Sequence, residues 1–279
     1  MTKSARIVHY VFGMAADFGG KPWSLVHYAC LMSAIDRLRP DVVMFHCEFE
    51  PEGPWWDLTR PLISLKLMKA PKKIFGNDLL HVAHQAGVVR LQVLIEHGGI
   101  YLDADVFVHR SFENLLDHPA VLGIEGKDHI YGMADAVILG HAKSPFLVRW
   151  LDSYKSFRSR GRDEFWGEHP VQMPAKLALE YPHEVLVLPY NAFFWPLWTP
   201  DHLKWIYESN QPIEPLGYAN HLWETLAWPY LADLTPGQVR ATATNFHAWI
   251  RQYVDDLPNN YGRPAHPTST PALLPQIVV

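Results

Sequence analysis

The chain has 279 residues, 48% of them hydrophobic, which is enough for one large core or two lobes. Its formal net charge is −5 and it has no long run of Lys or Arg, so a nucleic-acid-binding surface is not expected. Cys30 and Cys47 sit among apolar residues, which points to buried free thiols in a reducing compartment rather than to a disulfide framework.

Met1–Arg6 leads into the first strand without the apolar length of a signal peptide or membrane span, so a cytoplasmic, bacterial-type protein is expected. Ile7–Phe12 reads as a buried strand ending at Gly13. Residues 24–38 have apolar residues at helical spacing, with Ser24 as N-cap and Pro40 beyond the end, and Val42–Phe45 is a second strand. Strand, helix, strand in this order predicts a parallel crossover and an α/β layer. Glu50–Asp57 is a Pro-stiffened loop carrying Trp55 and Trp56. Lys66, Lys69, Lys72 and Lys73 read as a solvated basic face, with peripheral membrane contact as the minority alternative.

Asn77 or Asp78 is expected to cap a helix at 79–97, where Val82, Ala86, Val89 and Val93 form an apolar stripe. Arg90 lies inside that pattern and needs an acidic or phosphate partner. His81 and His84 stand three apart, but no thiol or third histidine completes a zinc set. Gly98 and Gly99 suit a left-handed helix stop. On the extended strand that follows, Asp103 and Asp105 share one face while Ala104 points away. Two neighbouring carboxylates repel, and they tolerate closeness best when a hard divalent cation sits between them and a phosphate. Apolar residues on both sides make unpaired charge expensive here. Strand-spaced acids lie about 7 Å apart at Cα, so spacing does not exclude a glycosidase pair at about 5–9.5 Å. The haloacid-dehalogenase type of phosphatase also has a D-x-D after an apolar strand, but it places that motif near the N-terminus.

Ala120–Glu125 and Ala136–Gly140 are expected strands, the second entered through Gly132–Asp135, and residues 144–157 an amphipathic helix. Gly167–Pro170 precedes another helix, and Val185–Leu188 is a late strand. Phe193–Trp198 and Asn220–Glu224 concentrate aromatics, as platforms for sugars and nucleobases or as plain core. Residues 236–255 are expected to form one last amphipathic helix. Prolines 258, 264, 267, 271 and 275 then mark an extended tail, so a single catalytic domain is expected over 1–257 and a Pro-rich tail over 258–279.

His81–Leu91, running into His97–Asp105, resembles the sugar-binding region of the D-x-D glycosyltransferases (family 32 of the carbohydrate-enzyme classification), with the glucosylating toxins as more distant relatives. The resemblance implies an α/β fold of the GT-A nucleotide-binding type. In such a fold a mainly parallel central sheet is flanked by helices, here with an aromatic-rich C-terminal part. It further implies transfer of a sugar, with retention of configuration, from a nucleotide-sugar donor, UDP-sugar first and GDP-sugar second, with Mn²⁺ or Mg²⁺ as cofactor. By the same resemblance Asp105 binds the cation directly, while Asp103 bridges to the cation and to the ribose or sugar. His221, in a His-x-Trp ending at Trp223, closes the metal's coordination shell. Arg90 holds sugar or phosphate, Phe12 packs on the base, and Tyr101 and Trp223 join the cofactor-binding set. Asp135, where relatives often have Asn, faces a sugar hydroxyl or the anomeric charge, and Trp55 and Trp56 pack at the donor-site rim. Gly87 stands where relatives carry an Asp that contacts the donor sugar, which motivates one alternative, a non-catalytic nucleotide-sugar binding protein. A phosphatase is the other. The acceptor, whether glycan, lipid-linked sugar, protein or small metabolite, stays open.

Overall fold

The computed structural model describes residues 6–263. β1 (Ile7–Val11) leads through α1 (Leu25–Leu38) to β2 (Val42–Cys47). α2 (Pro54–Thr59), β3 (Ser64–Leu67) and a short hairpin of β4 (Lys73–Ile74) and β5 (Asn77–Asp78) precede α3 (Val82–His97). β6 (Gly99–Leu102), β7 (Val106–Val108), β8 (Ala120–Gly123) and β9 (Val137–Gly140) follow, then α4 (Pro145–Ser153) and α5 (Met173–Glu180). β10 (Leu186–Leu188), α6 (Pro200–Tyr207), β11 (Ala219–His221), α7 (Glu224–Leu231), α8 (Pro236–Ala241) and α9 (Asn245–Ile250) complete the order.

Seven strands form one sheet in the order β10-β8-β9-β6-β1-β2-β3. All neighbours are parallel except β9, which runs antiparallel to both β8 and β6. This is the mainly parallel α/β sheet that the strand–helix–strand pattern predicted. Alternate residues of β1, β6, β8 and β9 enter different cores, as a period of two requires. Val8, Tyr10, Ile100, Leu102, Val121, Val137 and Leu139 pack with α1 and the C-terminal helices. Val11, Tyr101, Leu122 and Ile138 pack with α3, α4 and α5. Cys30 and Cys47 are free and buried, as expected.

Gly99 makes the α3-to-β6 turn possible. Its φ of +112° is open to glycine, and an added Cβ would stand 2.4 Å from the Ile7 carbonyl oxygen. A side chain at position 99 would push β6 away from β1, with which it pairs at Val8–Ile100 and His9–Tyr101.

Four local expectations are corrected. The cap of α3 is His81, whose Nδ1 accepts from the Ala83 N–H at 3.1 Å; Asn77 and Asp78 belong to β5 instead. Residues 54–59 are helical because Pro54 is preset for a first helical turn, and Trp55 and Trp56 are core residues rather than a rim. The stretch 236–255 breaks into α8 and α9, since Thr244 caps a new helix by accepting from the His247 N–H. Asp103–Asp105 is a turn between β6 and β7, closed by the Val106 N–H donating to the Asp103 carbonyl, so the two acids do not share one strand face. Met1–Ala5 and the tail prolines 264, 267, 271 and 275 lie outside the described residues. Of the expected tail, Tyr261 packs edge-on against Trp55 with ring centroids 5.0 Å apart.

Candidate active site

The carboxyl ends of β1, β6 and β8 and the start of the antiparallel β9 open onto one cavity of about 590 Å³. Ligand sites of open parallel sheets lie at this edge, where the chain leaves the strands in loops. Phe12, Arg90, Asp103, Asp105, Asp135, His221 and Trp223 all line it, although they come from positions as distant as 12 and 223.

The turn after β6 presents Asp103, and its backbone N–H donates to the Ala136 carbonyl at 2.8 Å. Asp105 ends the same turn. β11 pairs antiparallel with β7 so that His221 lies opposite Val106, the neighbour of Asp105. His221 Nε2 stands 3.3 Å from Asp105 Oδ2, and that same oxygen accepts the Glu224 backbone N–H at 2.8 Å from the first turn of α7. Burial alone would raise the Asp105 carboxyl, but His221 and this N–H hold it well below the usual carboxylate range. Burial likewise opposes charge on His221, and Asp105 outweighs it, leaving the imidazole raised. Trp223 adopts the left-handed conformation at φ +56°, a costly state for a tryptophan, in the turn between His221 and Glu224. Its Nε1–H donates to the Pro196 carbonyl at 2.9 Å.

Asp103, Asp105 and His221 each offer one ligand atom, and these atoms lie within 4.8 Å of one another. The His221 Nδ1 is buried and without a hydrogen-bond partner among the described residues. Two carboxylates and one imidazole, with no thiolate, suit Mn²⁺ or Mg²⁺ better than a structural zinc. The residues present fit such a cation.

Arg90 is buried beside this cluster. Its Nη1 lies 3.2 Å from Asp103 Oδ1 and 2.9 Å from Asp135 Oδ1, and donates to the Asp135 carbonyl at 2.7 Å. The acidic partner demanded by its place in an apolar helix is thus supplied by the protein itself. Burial pushes the Asp135 carboxyl up to about 6, against the pull of Arg90 and with Asp103 adding to it. Gly87, one helical turn before Arg90, is buried and faces Tyr154 and Asp135. A Cβ there would lie 3.4 Å from the Tyr154 hydroxyl and 3.5 Å from Asp135 Oδ2. Tyr101 is corrected. It is wholly buried and does not line the cavity; its hydroxyl donates to Asp103 Oδ1, and its ring lies 4.5 Å beneath the Arg90 guanidinium.

Three cavity residues, His27, Glu125 and Trp166, carried no sequence signal for a role. His27 Nε2 is 2.7 Å from Glu224 Oε1, and Lys21 Nζ is 3.2 Å from Glu224 Oε2, which ties α1 to the start of α7. A lone histidine in an apolar helix reads as core, so only the fold reveals this pairing. Glu125, Trp166 and Trp198 also line the cavity.

The glycosyltransferase sugar-binding region containing a DXD motif matches residues 58–122, which include α3, β6 and both aspartates. Glucan organizing enzyme 1 of the fungus Cryptococcus neoformans var. grubii is 39% identical over 259 residues, covering 88% of this chain and 70% of the fungal protein. The chain belongs to the DXD glycosyltransferase family. This glycosyltransferase is also 35% identical over 148 residues to an uncharacterized protein of Arabidopsis thaliana, covering 48% of this chain and 22% of the plant protein. Among solved structures, mouse xyloside xylosyltransferase 1 aligns with a TM-score of 0.47 at 12% identity, covering 77% of this chain and 97% of that one. The phosphatase alternative falls with the family assignment. No helix among the described residues is long and apolar enough to cross a membrane.

Proposed function

We propose that this glycosyltransferase is of the GT-A type and divalent-metal dependent. It moves a hexose, with retention of configuration, from a nucleotide-sugar donor, UDP-sugar before GDP-sugar. The observation that carries the reading is the placement of Asp103, Asp105 and His221 within 4.8 Å of one another, beside the Arg90–Asp135 pair in one cavity. Asp105, Asp103 and His221 would hold Mn²⁺ or Mg²⁺, and that ion would supply positive charge to the departing diphosphate. Phe12, half-buried against Phe18 and the buried Trp23 and His27, offers a ring face to the base. Arg90 and Asp135 orient the sugar, and Trp223 bounds the same space.

The fungal relative's name makes a glucan the first acceptor class to try. A single catalytic domain over 1–257, a tail over 258–279 and a cytoplasmic setting belong to the same proposal. Peripheral membrane contact through Lys66, Lys69, Lys72 and Lys73 would suit a lipid-linked acceptor, although Lys69 pairs with Glu48 and Lys73 with Asp78. The test is nucleotide release from a panel of UDP- and GDP-sugars with Mn²⁺ or Mg²⁺. Wild type should release nucleotide from one of them, and Asp105→Ala should not. No release from any donor, or equal release by the variant and by metal-free protein, would overturn the reading.

A further inference from the structure

Part of the cavity has no task in the reading above. Beyond His221 its wall is made by Glu125 and Trp198, and on the side of α3 by His84, Trp166, Pro170 and Val171. Glu125 follows β8 and is only 6% exposed. Its side-chain hydrogen bond among the described residues comes from Trp198 Nε1–H to Oε1, at 3.0 Å. The backbone around it is held firmly. The Glu125 N–H donates to the Gly132 carbonyl and the Tyr131 N–H to the Glu125 carbonyl, both at 2.9 Å. Gly126, at φ +108°, has no room for a Cβ, which would fall 1.9 Å from the His129 carbonyl oxygen.

A largely buried carboxyl that lines the cavity and takes one indole donor has acceptor capacity left for a ligand or water in that cavity. Burial pushes it above its ordinary value, against the Trp198 hydrogen bond and nearby His221. A nucleoside diphosphate is a poor occupant, because its charge would repel the carboxylate. A purely apolar ligand would leave the carboxyl unpaired. A neutral polyhydroxyl ring satisfies it and offers a C–H face to the indole.

We infer that Glu125 and Trp198 form the saccharide-acceptor subsite of this enzyme, with the Glu125 carboxyl accepting a hydrogen bond from a hydroxyl of the acceptor sugar and the Trp198 ring lying against its C–H face. This deepens the transfer reading and rests on it for the word acceptor; the saccharide contact itself can be measured without turnover. The probes are methyl glucosides and short gluco-oligosaccharides, followed by saturation-transfer-difference NMR on the protein with UDP and Mn²⁺, or GDP and Mn²⁺, whichever nucleotide binds. Nucleotide affinity is measured in parallel by calorimetry.

Wild type should bind at least one probe saturably. Glu125→Gln should weaken that binding about fivefold, and Glu125→Ala and Trp198→Ala at least tenfold, with nucleotide affinity within twofold of wild type throughout. Where transfer occurs, the variants should raise the KM for the saccharide and leave acceptor-free nucleotide release unchanged. Absence of saccharide binding to wild type, equal binding by the variants, or a parallel loss of nucleotide affinity would each overturn the assignment. Glu125-dependent saccharide binding without nucleotide release from any donor would keep the subsite and sink the transfer reading instead.

Discussion

Replacing Arg90 with methionine tests the electrostatic centre of the site. Arg90 is 5% exposed and its Nη1 sits 3.2 Å from Asp103 and 2.9 Å from Asp135. At an effective dielectric of about 20, each contact is worth roughly 5 kcal/mol before the cost of desolvating the partners. Arg90→Met keeps the aliphatic stem but leaves two carboxylates facing each other and the Asp135 carbonyl without its donor. Breaking a buried ion pair by removing one partner costs about 3–5 kcal/mol. With a urea slope of about 3 kcal/mol/M, the unfolding midpoint should fall by about 1 M or more. Asp135→Asn should cost about 1 kcal/mol or less, because an amide oxygen can still accept from Arg90. The double variant should then cost about 1–3 kcal/mol less than the sum of the two, since it removes the repulsion that Arg90→Met exposes. The assay is urea unfolding of the four proteins without nucleotide or metal. A loss below about 1 kcal/mol for Arg90→Met, or strict additivity, would refute this account of how the cluster is held.

Three other perturbations read different parts of the molecule. Asp105→Asn should lower Mn²⁺ affinity at least tenfold in calorimetry and abolish nucleotide release; unchanged Mn²⁺ binding would remove Asp105 from the ligand set. Gly99→Ala should be destabilising by more than about 3 kcal/mol, because a left-handed backbone and a 2.4 Å approach to the Ile7 carbonyl combine; a melting temperature within 2 °C of wild type, which corresponds to about 1 kcal/mol or less, would contradict it. His9 is fully buried, 3.1 Å from His46 and 3.0 Å from the Gly98 carbonyl, and burial lowers it from its ordinary 6.5 to about 4. The unfolded chain therefore takes up this proton first as the pH falls. Stability should be full above pH 6.5 and drop by about 3 kcal/mol between 6.5 and 4 from this group. Urea unfolding at several pH values should show a flatter dependence for His9→Gln, and an identical slope would count against the burial argument.

Much of the sheet was legible because buried parallel strands are short apolar runs, and Ile7–Val11, Val42–Cys47 and Val137–Gly140 are such runs. α1 was legible from Ser24 and from its periodicity. Errors fell where local chemistry outweighed pattern. His81 took the cap from Asn77 and Asp78, and Thr244 restarted a helix that hydrophobic spacing alone would have continued. At the site, Asp103 and Asp105 stood out because charges inside an apolar run demand a reason. Glu125 and His27 gave no such signal, being single polar residues in ordinary contexts.

By itself the sequence determined a α/β chain whose first strands cross over in parallel, a helix ending at two glycines, and a pair of acids at the end of a buried strand. These are local facts, set by side-chain periodicity and by backbone conformations open to few residues. Only the tertiary structure decided that β11 pairs with β7 and sets His221 3.3 Å from Asp105. The same is true of Asp135 turning back onto Arg90 and of Glu125 lying buried against Trp198. Those contacts join residues some 45 to 116 positions apart, and no local propensity encodes them; they follow from which strand edges and helix faces could bury their apolar surface together.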